Sequence, residues 1–243
     1  MPKLSVVALC YREGYTARDF AKRLEGVLKK ATLDYEIILV SNYLPNALDI
    51  TPRLVNELAK KSKRIKAVTR PKAKGQGFGW DVRAGLEAAT GELIAFVDGD
   101  NQIPPEDVLT VYKKLKKEKL DLAKATRTKR YDGFMRKIIS MGYNGIFRLL
   151  FPGISDRDID GKPKIFTRKA YEQLHLKSND WFLDAEIMIK AQSLGLKYGS
   201  VPTVFRKRPR GASSLTVQNC FATLKNLLIY RIKTLRKKLL HNP

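Results

Sequence analysis

Lys74–Glu106 reads KGQGFGWDVRAGLEAATGELIAFVDGDNQIPPE and joins a glycine-rich turn, a short helix, an apolar strand and a pair of carboxylates in one continuous run. Glu92–Val97 is an apolar stretch of strand length, and Asp98-Gly99-Asp100 follows at its C-terminal end. In open α/β sheets that end is where ligands bind. Two carboxylates one glycine apart, on a turn, can both face a single point, and Gln102 adds a neutral oxygen two positions on. Hard divalent cations such as Mg²⁺ or Mn²⁺ take oxygen ligands of this kind, usually one or two carboxylates completed by water and substrate phosphates. Asp98, Asp100 and Gln102 are therefore candidate metal ligands. Asp-Gly alone is ordinary turn chemistry. The strand before the pair, and Pro104-Pro105 presetting a helix from near Glu106, are what make the tripeptide a site.

Toward the N-terminus the same alternation repeats. Leu4–Cys10 reads as a buried strand, and Thr16-x-x-Asp19 as a capping box opening a helix whose apolar face carries Phe20, Leu24, Val27 and Leu28. Tyr35–Val40 is a second strand, Thr51-Pro52 open a helix carrying Leu54 and Leu58, and Ile65–Thr69 is a third, weaker strand. Strands alternating with helices at this spacing imply βαβ units and a largely parallel sheet with its loops gathered at the carboxyl edge. Gly75, Gly77 and Gly79 follow a strand and open a helix, so backbone N–H groups there are placed to face a phosphate or a sugar. Asp81 and Arg83 fall in the first turns of that helix.

Toward the C-terminus, Asp121–Thr126 reads as a strand, followed by a cationic cluster of Arg127, Lys129, Arg130, Arg136 and Lys137. Ile138–Phe151 is apolar on most sides, so the cations sit beside a greasy helix, an arrangement suited to a phosphate on a lipid tail. Ser155–Arg168 contains Asp156, Asp158 and Asp160 and then a short strand through Ile165 and Phe166; it is too short for an EF-hand and lacks the terminal Glu. Asp184 and Glu186 open an amphipathic helix with Ile187, Ile189 and Leu194. Lys197–Phe205 is the last strand and runs into Arg206–Ser214, where arginines beside Gly and Ser suit a pyrophosphate. From Val217, apolar residues at 217, 221, 224, 228, 232, 235 and 239 recur at helical spacing among lysines and arginines. That helix either docks on the core or lies on an anionic membrane.

The 243 residues carry 47 Lys+Arg against 24 Asp+Glu, a net charge of +23, and so seek a polyanion. No apolar run approaches the ~18 residues needed to span a bilayer. The two cysteines, Cys10 and Cys220, make neither a disulfide framework nor a metal spacing, which fits a reducing compartment. A nucleic-acid-binding protein is the rival the charge suggests. The chain lacks stacking aromatics, zinc spacing and a helix-turn-helix pattern, and such a role leaves DGDNQ unexplained, so no nucleic-acid partner is expected.

The order of these motifs resembles family 2 glycosyltransferases of GT-A fold, within them the polyprenyl-phosphate (dolichol-phosphate) mannose and glucose synthases. The likeness runs from about Leu4 to Leu215 and is most specific in GFGWDVRAGLEAATGELIAFVDGDNQIPPE, TRTKRYDGFMRKIISMGYNGIFRLLFPGISD, DGKPKIFTR, WFLDAEIMIKA and RPRGASS. It implies an α/β fold with a Rossmann-like, mostly parallel central sheet flanked by helices, residues 1–214 forming the catalytic domain and 215–243 a basic amphipathic C-terminal helix. It implies a metal-dependent inverting hexosyltransferase moving a sugar, mannose favoured, from GDP-mannose or UDP-glucose to a polyprenyl phosphate; transfer to a sugar hydroxyl is the alternative. Asp98, Asp100 and Gln102 match the D-x-D-x-Q pattern that holds Mg²⁺ or Mn²⁺. Leu9, Tyr11 and Glu13, with Gly79, Arg83, Asp98, Gly99, Arg208 and Ser213, are the nucleotide-sugar positions. Arg127 and Arg136, with Arg130 beside them, are the acceptor-phosphate positions, and Asp184 or Asp160 is the base a hydroxyl acceptor would need. Two departures stand out. Ser41-Asn42-Tyr43 replaces the acidic pair that reads the base, putting Asn42 in that place, and the C-terminal membrane helices of many relatives are absent. Membrane attachment is then expected to be peripheral, on the cytoplasmic face, through an anionic surface or a separate anchoring subunit.

Overall fold

A computed structural model of the chain describes residues 1–154, 156–208 and 217–241. Strands and helices follow the order β1 (Leu4–Leu9), α1 (Tyr15–Lys30), β2 (Tyr35–Val40), α2 (Thr51–Lys61), β3 (Ile65–Val68), α3 (Phe78–Ala88), β4 (Leu93–Asp98) and α4 (Glu106–Glu118). They continue with β5 (Leu122–Arg130), α5 (Phe134–Leu150), β6 (Lys164–Thr167), α6 (Arg168–Leu174), α7 (Leu183–Ser193), β7 (Tyr198–Phe205) and α8 (Val217–His241). One seven-stranded sheet runs β3-β2-β1-β4-β6-β5-β7, with only β6 antiparallel to its neighbours.

Apolar residues without polar alternation make β1, β2 and β4 strands buried on both faces. Val7, Ile38, Val40, Ile94 and Phe96 face one core with α3 and α7, whereas Val6, Ala8, Ile37, Leu39, Ala95 and Val97 face the other with α1 and α4. Leu9 pairs with both Val40 and Asp98, which brings the ends of β1, β2 and β4 to one edge.

Three local expectations are corrected, and a fourth element, α5, keeps its expected greasy surface. The N-cap of α1 is Gly14 at φ 54°, not Thr16; its N–H donates to Thr51 Oγ1 at 2.8 Å, so a residue of another helix closes the turn. In α2 the fully buried apolar residue is Val55, with Leu54 and Leu58 only partly covered. The helix α7 is buried on nearly every side from Leu183 to Ile189, and Leu194 is exposed beyond its end. In α5 only Asn144 and Phe147 are buried, so most of its apolar surface faces outward.

Glu36 ties the amino ends of β1 and β4 together. Its carboxylate accepts from Ser5 Oγ (2.5 Å), Thr90 N (2.6 Å) and Thr90 Oγ1 (2.8 Å), and Lys66 Nζ lies 2.7 Å away. Burial pushes the carboxyl up, but the Lys66, Ser5 and Thr90 bonds outweigh it and hold Glu36 at about 2 against an ordinary 4.5. An acid depressed on folding adds stability above its unfolded pKa and loses it as pH falls through the folded value. The window here runs from 4.5 down to about 2. Glu36→Gln is expected to cost about 2 kcal/mol at neutral pH and to flatten that acid limb in urea melts. Equal slopes in both proteins would refute the assignment.

Candidate active site

The site forms where β1, β4 and β7 end. Asp98 closes β4, Gly99 N donates to Leu9 O at 2.8 Å, and a Cβ at Gly99 would lie 2.9 Å from Cys10 Sγ and 3.0 Å from Leu9 O. Only glycine lets the turn approach β1 this closely, which throws Asp98 and Asp100 onto the sheet edge. Asp100 is buried, its Oδ1 accepting from Gln102 N at 3.0 Å. Arg208, just beyond β7, reaches back with Nη2 2.8 Å from Asp100 Oδ2 and Nη1 2.6 Å from Glu13 Oε1. Gln102 fixes that return: its Nε2 donates to Arg206 O at 3.0 Å while Arg206 N donates to Gln102 O at 2.8 Å. Its amide therefore braces the Arg208 segment.

Burial, the nearby charge of Asp98 and a partial offset from Arg208 leave Asp100 at about 6. Burial likewise raises Glu13 to about 7, with Arg208 opposing and Asp100 adding to the rise. Glu13 and Asp100 thus share one guanidinium while Asp98 faces Lys162 at 3.7 Å, and both buried acids are raised above the ordinary carboxylate range. An oxygen-rich, under-neutralised pair of this kind fits a hard divalent cation; Asp98, its side chain 26% exposed, is the more open of the two.

Beneath it lies an ionic layer in which cations and carboxylates balance. Lys124 lies 3.0 Å from Asp156, and Arg127 grips Asp158 through Nε (2.8 Å) and Nη2 (2.5 Å) with Asp160 at 3.6 Å. Lys162 lies 3.0 Å from Asp184, whose other oxygen accepts from Lys164. Burial pushes Asp184 up, and Lys162 and Lys164 more than reverse it, holding its carboxyl below the ordinary range. Burial draws Lys164 down to about 8, whereas for Lys162 the surrounding Asp184, Asp98 and Asp160 overcome burial and raise it.

Several expected roles meet different surroundings. Asp184 is buried and engaged by two ammoniums, so it is not poised to take a proton; Asp160, with its side chain 33% exposed, keeps the freer carboxylate. Arg127 is bound to Asp158 and Arg130 to Asp132 (3.1 and 2.6 Å), both on β5 rather than in a loop. Arg136, in the first turn of α5, is half-buried as they are, but makes no ion pair among the described residues. The glycine turn faces protein: Gly77 N and Trp80 N donate to Asn179 O, and a Cβ at Gly79 would lie 2.6 Å from Ser178 O. Arg83 holds the same loop through Lys177 O (3.0 Å) and Asn179 Oδ1 (2.9 Å). Asn42 is buried, its Nδ2 donating to Asp81 Oδ1 (2.8 Å) and its Oδ1 accepting from Arg70 N (2.8 Å). Lys72 completes that group 2.6 Å from Asp81 and 4.3 Å from the Tyr11 ring centroid. Ser213 lies outside the described residues. Sequence reasoning does not single out Lys72, Lys162 or Lys164; the signal it offers is a lysine opening the strand that the Ile165-Phe166 run buries, with a second lysine two positions before it.

The stripe of α8 is also resolved. Leu227 is buried, with Leu224 and Tyr230 packed on the core, whereas Phe221, Leu228, Ile232 and Leu235 are exposed. The helix docks by a narrow face, and the repeating apolar stripe largely faces away from the core. Among the described residues no helix is long and apolar enough to cross a membrane.

A mostly parallel seven-stranded sheet flanked by helices is the architecture of the GT-A fold. The chain belongs to glycosyl transferase family 2, whose model matches residues 5–174. It is 29% identical over 238 residues to the dolichol-phosphate mannosyltransferase of Pyrococcus furiosus, covering 95% of this chain and 63% of that protein. It is 25% identical over 228 residues to the dodecaprenyl-phosphate galacturonate synthase of Rhizobium johnstonii, covering 93% and 65%. The chain thus spans less than two thirds of these curated relatives. The glucosyl-3-phosphoglycerate synthase of Mycobacterium tuberculosis, solved with Mn²⁺, UDP-glucose and glycerol 3-phosphate, superposes with a TM-score of 0.72 at 17% identity, over 95% of this chain and 80% of that one.

Proposed function

We propose that the chain transfers a hexose, with inversion, from a nucleotide sugar such as GDP-mannose or UDP-glucose to the phosphate of a polyprenyl phosphate. The single observation that carries the choice of acceptor is that both candidate bases face cations, Asp184 buried and held by Lys162 and Lys164 and Asp160 3.6 Å from Arg127. A hydroxyl acceptor needs a base to remove its proton, whereas a phosphate monoester already carries about −1.5 to −2 charge near pH 7. Positioning and charge neutralisation then carry the reaction. Asp98 and Asp100, with Gln102 beside them, are the residues that would hold Mg²⁺ or Mn²⁺, which supplies charge neutralisation on the departing diphosphate. Arg208 reaches the same place and can share that charge. Arg136, without an ion pair among the described residues, is the cation for the acceptor phosphate, with Arg127 and Arg130 available only by exchange with Asp158 and Asp132.

The polyprenyl-phosphate names of both curated relatives, and the Mn²⁺ held with UDP-glucose by the structural neighbour, support this reading. So does the surface made by α5 and α8, which pack together and expose Phe134, Met135, Met141, Leu149 and Phe221 among lysines and arginines. That surface suits peripheral binding to an anionic membrane on its cytoplasmic face, where the lipid phosphate would be met. Residues 1–214 would then be the catalytic domain, with the C-terminal helix completing the docking face. The test is transfer of radiolabelled sugar from each donor, with Mg²⁺ or Mn²⁺, into a polyprenyl phosphate extractable in organic solvent. Transfer abolished by a chelator is expected. Transfer only to a hydroxyl acceptor would overturn the proposal and return the base role to Asp160.

A further inference from the structure

Lys162 stands between the carboxylate pair and the ionic layer beneath it. Its side chain is 5% exposed, and its ammonium lies 3.0 Å from Asp184 Oδ2, 3.3 Å from Asp160 O and 3.7 Å from Asp98 Oδ2. An ammonium has three N–H donors, and here three oxygens surround it, from the start of α7, from its own loop and from the end of β4. The Phe78 ring centroid lies 4.6 Å from Nζ, and Phe78 is stacked on Trp181 with centroids 4.5 Å apart, so an aromatic face closes another side. The two cations touching the carboxylate pair therefore differ in kind. Arg208 is 19% exposed and comes from the segment beyond the last strand, whereas Lys162 is enclosed and pinned.

We propose that Lys162 is a positioning residue that makes the carboxylate pair take up a divalent ion together with a diphosphate in preference to the bare ion. The inference rests on the donor-site reading above. A fixed positive charge beside Asp98 weakens the pull that Asp98 and Asp100 exert on a free cation. The same charge strengthens the pull on an anion arriving with that cation. Arg208 has the same sign, but its guanidinium can turn from Asp100 to a phosphate; Lys162, held by Asp184, keeps its place through loading. Its contact with Asp98 also fixes which way that carboxylate points. The effect therefore has opposite signs for metal alone and for metal with diphosphate. Loss of site structure would instead weaken both.

The test is Mn²⁺ binding to the full chain, read from the EPR signal of the free ion, alone and with UDP or GDP. Lys162→Gln removes the charge while keeping an amide donor for Asp184 and Asp160, and Lys162→Met removes both. In Lys162→Gln, bare Mn²⁺ is expected to bind on the order of tenfold more tightly and diphosphate with Mn²⁺ on the order of tenfold more weakly, the size of a partly screened charge term at this distance. Lys162→Arg should restore the wild-type pattern. A Lys162→Gln chain that matches wild type, or weakens both measurements alike, overturns the proposal while leaving the donor reading intact. If wild type itself binds Mn²⁺ no better with either diphosphate, the donor reading fails and the proposal with it. Should Lys162→Met fail to fold, Lys162→Gln still decides.

Discussion

Asp100→Ala is expected to abolish metal-dependent nucleotide binding and to lower sugar transfer on the order of 10²–10³-fold, the scale of losing one preorganised electrostatic partner at a reacting centre. The carboxylate is buried against the end of β1, with one oxygen on Gln102 N and the other on Arg208. Removing it takes away half of the oxygen pair and leaves Arg208 with Glu13 alone, so a diphosphate would meet a guanidinium but no anchored cation. The fold should survive, because the paired Gln102–Arg206 hydrogen bonds and the Gly99–Leu9 bond do not involve the lost group. Circular dichroism unchanged from wild type, with Mn²⁺-dependent UDP or GDP binding lost, is the expected pair of measurements. Retained metal-dependent binding would show that the cation site lies elsewhere.

Asp184→Ala is expected to act on stability instead. Lys162 and Lys164 are both enclosed and both face this carboxylate. Its removal leaves two buried ammoniums with an uncompensated charge, a change that typically costs about 3–5 kcal/mol. For a chain of this size that corresponds to a melting temperature lower by roughly 6–20 °C. Asp184→Asn keeps an acceptor oxygen and should lose less. Adding Lys164→Met to Asp184→Ala should recover part of the loss, because the more deeply buried of the two ammoniums goes with its partner. If Asp184 were a base, the alanine variant would melt like wild type and simply fail to turn over. Melting curves beside single-turnover transfer therefore separate the two roles.

What could be read in the sequence was whatever local chemistry decides. Continuous apolar runs placed β1, β2 and β4, and Asp98-Gly99-Asp100 at the end of one of them put the candidate carboxylates at the sheet edge. Arg208 stands out by composition and does meet Glu13 and Asp100. Most of the misses share a cause, which is that a partner distant in sequence decided the outcome. Thr16 had the chemistry to cap α1, but Thr51 of another helix satisfies Gly14. Arg127 looked like a free cation until Asp158 took it, whereas Arg130 is held by Asp132 only two residues on. Gly77 and Gly79 signalled a phosphate turn, yet the backbone of residues 178–180 fills that space. The outward stripe of α8 could not be chosen in advance, since helical spacing marks an apolar face without saying what covers it.

The central place of β1 governs how the chain can be assembled during synthesis. Leu4 pairs with Tyr35 on one side and with Leu93 on the other, the second separated from it by three helices and two strands. Closing that longer span is slow, because chain entropy is lost before the contacts that repay it exist. A chain emerging from the ribosome therefore carries an open flank on its first strand until Leu93–Asp98 has cleared the exit tunnel. Open strand flanks are templates for association. The segment that bears the carboxylate pair thus also seals the nascent sheet. Nascent chains arrested before and after Asp98 should differ sharply in protease resistance across Leu4–Leu9, and equal resistance would place closure at another strand.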